Sequence, residues 1–160
     1  MSIITIGLST PDRAEIAEKL SKLLASNYFL YLKTHNFHWN VTGPMFQPLH
    51  ALFEEEYIDL WHASDQIAER IRALGHFVAA SYADFKRLTQ ICDVEVSQPL
   101  AAEKMISQLR DDHEQMVSFI REVPLPPAEQ KDDQVTVDLL TNRMIFHEKH
   151  AWMLRSFLGE

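Results

Sequence analysis

Apolar residues at helical spacing fill four long stretches of this chain, and glycine and proline collect at their ends and between them. That pattern leaves room for little but packed helices, because a sandwich or barrel needs a turn about every ten residues. The sequence of 160 residues holds 4 Gly and 7 Pro, too few for such turns. The first stretch opens at Thr10-Pro11-Asp12, a hydroxyl cap, a first-turn proline and an acid that suits the helix dipole. Ile16, Leu20, Leu23, Leu24, Asn27 and Tyr31 then recur at helical spacing as far as Trp39. Asn40-Val41-Thr42-Gly43-Pro44 breaks the run, and a second continues from Phe46 to Leu74 with Gly75 as its closing glycine. A short helix is expected within 81–91. Ser97-Gln98-Pro99 is expected to open a third long helix reaching Glu122, ended by Pro124, Pro126 and Pro127, and a fourth covers Asp132 to Leu158. The fold class is therefore all-α: a four-helix bundle whose long crossover, carrying a short extra helix, joins helices two and three, in one domain over 1–160.

Charge and cysteine usage narrow the function classes. Fifteen Lys and Arg stand against 23 Asp and Glu, a formal net charge of −8, so the chain as a whole lacks the basic footprint of a nucleic-acid binder. The single Cys92 excludes a disulfide framework and any cysteine-built zinc or iron–sulfur motif. No apolar run reaches the roughly 18 residues a membrane span needs. The first seven residues lack the basic start and long apolar stretch of a signal peptide, so a cytoplasmic location is expected.

The histidines carry the chemistry. On the second helix, at about 100° per residue and with His50 as zero, Glu54, Asp65 and Glu69 fall near 40°, 60° and 100°. Imidazole and carboxylate on one stripe are the wrong content for a core face unless they are paired or bind metal. Trp61 lies on the same stripe, which argues against a face open to solvent. His38 ends the first helix on its apolar side, and the five-residue break folds the chain back so that His38 and His50 can meet. Imidazoles and carboxylates without thiolate suit iron, manganese or zinc. At about 1.5 Å rise per residue, Glu54 and Asp65 are roughly 16 Å apart along the helix. No single ion can bind both, since ligands sit about 2 Å from the metal. Either the two ends are separate sites or they belong to two chains. A partner helix running antiparallel about a two-fold axis would set His38, His50 and Glu54 of one subunit against Asp65 and Glu69 of the other, twice per dimer. The second arrangement is favoured.

These residues have a family likeness. His35-Asn36-Phe37-His38-Trp39-Asn40-Val41-Thr42-Gly43-Pro44, then Phe46, His50, Phe53-Glu54-Glu55 and Asp65-Gln66-Ile67-Ala68-Glu69-Arg70, resemble the Dps family of mini-ferritins, and His147 to Leu154 resemble its last helix. The resemblance implies a ferritin-like subunit, twelve of which form a hollow shell. Such a shell oxidises Fe(II) at sites shared across the two-fold, preferentially with hydrogen peroxide over oxygen, and stores ferric mineral inside, protecting against oxidative stress. His38, His50, Asp65 and Glu69 are carried over as metal ligands, and Trp39 as the aromatic beside them. Glu54 stands where the family usually has Asp, one methylene shorter. His62, near 120° on the wheel, could join the same metal, and an extra imidazole would favour zinc. His147 and His150 are weaker metal candidates that can instead bond a neighbour, and His76 and His113 read as surface residues. Asp133 and Asp138, in a segment similar to that lining the family's three-fold pores, are expected to gather Fe²⁺ there. DNA binding is not expected, because the first dozen residues contain no Lys or Arg and the chain is acidic. The alternatives are a nucleoid-compacting DNA-binding shell and a zinc-binding shell with poor ferroxidase activity.

Overall fold

A computed structural model describes residues 4–93 and 98–160. Six helices occur among them: α1 (Thr10–Asn40), α2 (Phe46–Ala73), α3 (Tyr82–Leu88), α4 (Ala102–Glu122), α5 (Leu125–Gln130) and α6 (Gln134–Leu158). α1 packs chiefly on α2 and α4 chiefly on α6. The short α3, inside the long connection between α2 and α4, lies against α1. The expected four long helices and their crossover are therefore present, and none of the described helices is long and apolar enough to cross a membrane.

Local chemistry sets the ends. Ser9, not Thr10, caps α1, accepting from the Asp12 amide. Gly43 and Gly75 take left-handed φ values of 103° and 91°, turning the chain after α1 and after α2. A Cβ on Gly75 would also run into the Ile4 side chain. The third long helix begins at Ala102 rather than at the expected Ser97-Gln98-Pro99, and Ser97 lies outside the described residues. Ala101, with ψ 148°, is still extended, and Pro99 disfavours helix at Gln98. The cluster of prolines does not simply end a helix, since α5 starts there with proline in its first turn, where a missing N–H costs nothing. α6 begins two residues later than expected because Asp132 is left-handed, φ 54°, and Asp133 serves as the cap.

One core runs through the bundle, with Phe37, Phe53, Leu20, Leu60, Ile67 and Ile71 fully buried. Polar side chains tie it together. Asn27 donates to the Leu60 carbonyl at 2.7 Å and to Ser64 Oγ at 2.9 Å, fixing α1 against α2. Lys33 Nζ meets Asp112 Oδ2 at 2.7 Å, linking α1 to α4 with both side chains at most 10% exposed. Burial pushes the Asp112 carboxyl above its ordinary range, and Lys33 pulls against that rise.

Candidate metal centre

The turn between α1 and α2 brings His38 and His50 together. Their rings stack with centroids 3.8 Å apart and planes 19° from parallel. His38 Nδ1 lies 2.8 Å from the His50 carbonyl and His50 Nδ1 2.9 Å from the His38 carbonyl. A carbonyl only accepts, so each Nδ1 carries the proton and donates it. This tautomer directs Nε2 of each ring to a metal, and a backbone partner holds the ring in place. His35 packs 3.9 Å from the ring centroids of both Trp39 and Tyr57. Burial first, and His38 second, hold its pKa below the usual imidazole value. Trp39 itself is 61% exposed.

Glu54, Asp65, Glu69 and His62 are exposed, while His38 is buried and His50 half-buried. Neighbouring acids on α2 are already engaged, Glu55 with Lys149 and Asp59 with Arg143. Large exposed apolar side chains accompany the stripe on α2, among them Phe46, Ile58 and Trp61, the last 54% exposed in the isolated chain. Among the described residues of one chain, no three His, Cys, Asp or Glu side chains are arranged to hold a metal ion. The structure thus brings His38 to His50 within one chain but does not bring the carboxylates to complete their shell.

Two expectations need correction. Asp133 is not free to line a pore: it is 4% exposed, both its oxygens meet Arg70 Nη2 at 2.7 and 2.8 Å, and it caps α6 through the Thr136 amide. Burial alone would raise its pKa, but Arg70 and Thr136 hold it below the ordinary carboxylate range. Asp138 remains exposed, bonded only to Gln134 Nε2 at 2.7 Å among its described contacts. His113 is not a surface residue. It is fully buried in the middle of the bundle with His147 and His150, which bond neighbours there, and with Glu56, which the sequence did not single out. The signal was available: Phe53, Glu56 and Leu60, and likewise Leu109, His113 and Met116, keep the spacing of an apolar face.

This cluster predicts acid sensitivity. Burial, then the fields of His113, Arg143 and His150, push His147 well below the ordinary imidazole pKa. Burial would raise Glu56, yet His113 and His150 beside it hold its carboxyl below the usual range. Both folded values lie under their unfolded ones, so the unfolded chain binds more protons as pH falls. Stability should be full near neutrality and decline first below about pH 6.5, then further below about pH 4.3. Thermal unfolding across that range checks this. His147→Phe should flatten the upper part of the decline.

A helical bundle with a crossover between its second and fourth helices, and imidazole and carboxylate along one outer stripe, defines a ferritin-like protein. The ferritin-like domain family matches residues 17–160. A protein of Bacillus anthracis, DNA protection during starvation protein 2, is 37% identical over 91% of this chain and 98% of its own. An uncharacterized low temperature-induced protein of Nostoc is 39% identical over 99% of this chain and 88% of its own. The crystal structure of the Dps protein from Vibrio cholerae O1, described as a member of a superfamily of ferritin-like diiron-carboxylate proteins, superposes with a TM-score of 0.90. It shares 31% identity, and the match covers 99% of both chains. The chain belongs to the Dps family of ferritin-like proteins.

Proposed function

We propose that this protein, acting as one ferritin-like domain over 1–160, is an iron-oxidising and iron-storing shell of twelve subunits in the cytoplasm, with Fe²⁺ as its substrate. The observation that carries the reading is the stacked His38–His50 pair, each ring donating through Nδ1 to the other residue's carbonyl, at one end of a stripe whose other end holds Asp65 and Glu69. His38, His50 and Glu54 of one subunit and Asp65 and Glu69 of its two-fold mate form the oxidation site. The imidazoles, one buried and one half-buried, bind iron with little reorganisation, and the carboxylates balance its charge. Two Fe²⁺ ions held close supply both electrons to one hydrogen peroxide, so its O–O bond is cleaved without release of hydroxyl radical. Peroxide is thereby preferred over oxygen, and the ferric product collects as mineral inside. Trp39, beside the pair, takes up stray oxidising equivalents. Asp138 draws Fe²⁺ to a three-fold entrance by its negative potential. His62 lies on the edge of the stripe and adjusts metal preference there, as does the longer reach of Glu54.

The relatives named for DNA protection suggest a second reading, a shell that also compacts DNA. The formal net charge of −8 opposes direct contact with phosphate, which needs clustered cations. Stopped-flow oxidation of Fe²⁺ with peroxide, compared with oxygen, tests the first reading. The parent should be fast with peroxide, and Asp65→Ala/Glu69→Ala should lose the fast phase while still assembling. A double variant as fast as the parent would remove the site assignment. Metal analysis of the purified parent distinguishes iron from zinc at the site. The same preparation should leave duplex DNA unshifted at physiological salt, and a salt-sensitive shift would support the second reading.

A further inference from the structure

We propose that the interior of each subunit holds a second metal site, formed by Glu56, His113 and His150 with His147 behind His113, for a divalent first-row transition cation. It is separate from the stripe described above. On the wheel that puts the stripe between about 0° and 100°, Glu56 falls near 240°. The four side chains come from α2, α4 and α6 and are at most 1% exposed. Polar groups at such depth are normally satisfied by partners.

Here the protein satisfies only part of the cluster. His150 Nδ1 lies 3.0 Å from Glu56 Oε1 and donates to it. His113 Nδ1 and His147 Nδ1 are 2.8 Å apart, so one ring donates to the other. Among the described residues, Glu56 Oε2, His113 Nε2 and His147 Nε2 meet no hydrogen-bond partner. Two of these atoms face each other, since His113 Nε2 stands 3.6 Å from Glu56 Oε2. That gap is too long for a hydrogen bond. It matches two donors about 2.0–2.2 Å from one shared ion at an open angle. The 3.0 Å between His150 Nδ1 and Glu56 Oε1 likewise suits two donors in adjacent positions around an ion.

Charge points the same way. The guanidinium of Arg143 is engaged at 2.6 Å by Asp59 and lies over Phe146, so it is not committed to Glu56. A buried carboxylate ringed by imidazoles then needs a cation among them. One extra proton can serve a single hydrogen bond, whereas a divalent ion engages both Glu56 oxygens and His113 Nε2 together. As they stand, no three of these donors, like no other three among the described residues, are arranged to hold an ion, so binding must draw the His113 and His150 rings and the Glu56 carboxylate together. The ion enters by displacing the proton of His150 Nδ1, with a small shift of that ring, and His147 orients His113 from behind. Imidazole and carboxylate without thiolate suit Zn²⁺, Co²⁺ or Fe²⁺.

The test uses the assembled full chain carrying His50→Ala/Asp65→Ala, which damages both halves of the outer site, so that failure here is distinct from failure of the ferroxidase reading. After loading with Zn²⁺ or Co²⁺ and dialysis against a weak chelator, about one ion per subunit should remain. X-ray absorption should show imidazole nitrogen at about 2.0–2.1 Å. Adding His113→Gln should remove that ion, and His147→Gln should weaken it about 10–100-fold. No retained ion, an ion without imidazole ligation, or an ion indifferent to His113→Gln would each overturn the proposal. The first two readouts need no core substitution, so a core variant that fails to fold leaves the proposal decidable.

Discussion

Shells refolded from equal amounts of His50→Ala and Asp65→Ala subunits should recover about a quarter of parental iron oxidation, although each variant alone has none. The expectation follows from the distance along α2. With about 1.5 Å rise per residue, Glu54 and Asp65 stay roughly 16 Å apart on one rigid helix, so one ion cannot reach both within a chain. If the site is shared across a two-fold, a mixed pair concentrates both defects in one site. Its twin takes His50 from the Asp65→Ala chain and Asp65 from the His50→Ala chain, and is intact. Random mixing makes about half of all pairs mixed, with one intact site in two. Activity no higher than the separate variants, with mixing verified by mass spectrometry, would refute an intersubunit site.

Lys33→Ala should strongly destabilise the subunit itself, costing about 3–5 kcal/mol. The cause is the partner left behind. Asp112 is buried with Lys33 at 2.7 Å, and without that ammonium its carboxylate has lost the cation that offsets its desolvation. Replacing both, as Lys33→Met/Asp112→Leu, should recover most of the loss, because two apolar side chains carry no desolvation cost. The pH dependence gives a second check. The folded pKa of Asp112 is raised already and rises further in Lys33→Ala, so its protonated form is favoured by folding. The deficit of Lys33→Ala relative to the parent should therefore shrink as pH falls through that raised value. Denaturation midpoints at fixed subunit concentration measure both effects. A deficit unchanged by acid, or not relieved in the double variant, would show that lost packing of the lysine stem dominates instead.

Much of the architecture was legible in the residues. Helical periodicity and the breaks at Gly43-Pro44, Gly75 and the 124–127 prolines located four long helices, because spacing and backbone restriction are properties of short segments. Helix starts were less legible, since capping is decided by which of several neighbouring polar residues turns back on the helix. Ser9 rather than Thr10, and Asp133 rather than Asp132, were chosen by backbone angles the sequence does not display. The stripe of His50, Glu54, Asp65 and Glu69 needed only the helical repeat.

Contacts between elements were beyond that reach. Asp133 read as an entrance acid until Arg70, sixty-three residues earlier, took both of its oxygens. His113 read as a surface residue because its charged neighbours mask the apolar spacing it shares with Leu109 and Met116, and only α2 and α6 packing around it turn it into part of a core cluster. The mutual carbonyl bonds of His38 and His50 depend on the α1–α2 turn closing to a fraction of an ångström, which fixes the tautomer of each ring. The sequence by itself determined the helices, their order and the line of candidate ligands, because those follow from one helical repeat. Tertiary structure alone decided which acids stay available to a metal and which are spent on arginine or histidine. That choice depends on separations of 2.5–4 Å between residues far apart in the chain, where a hydrogen bond or ion pair either forms or does not.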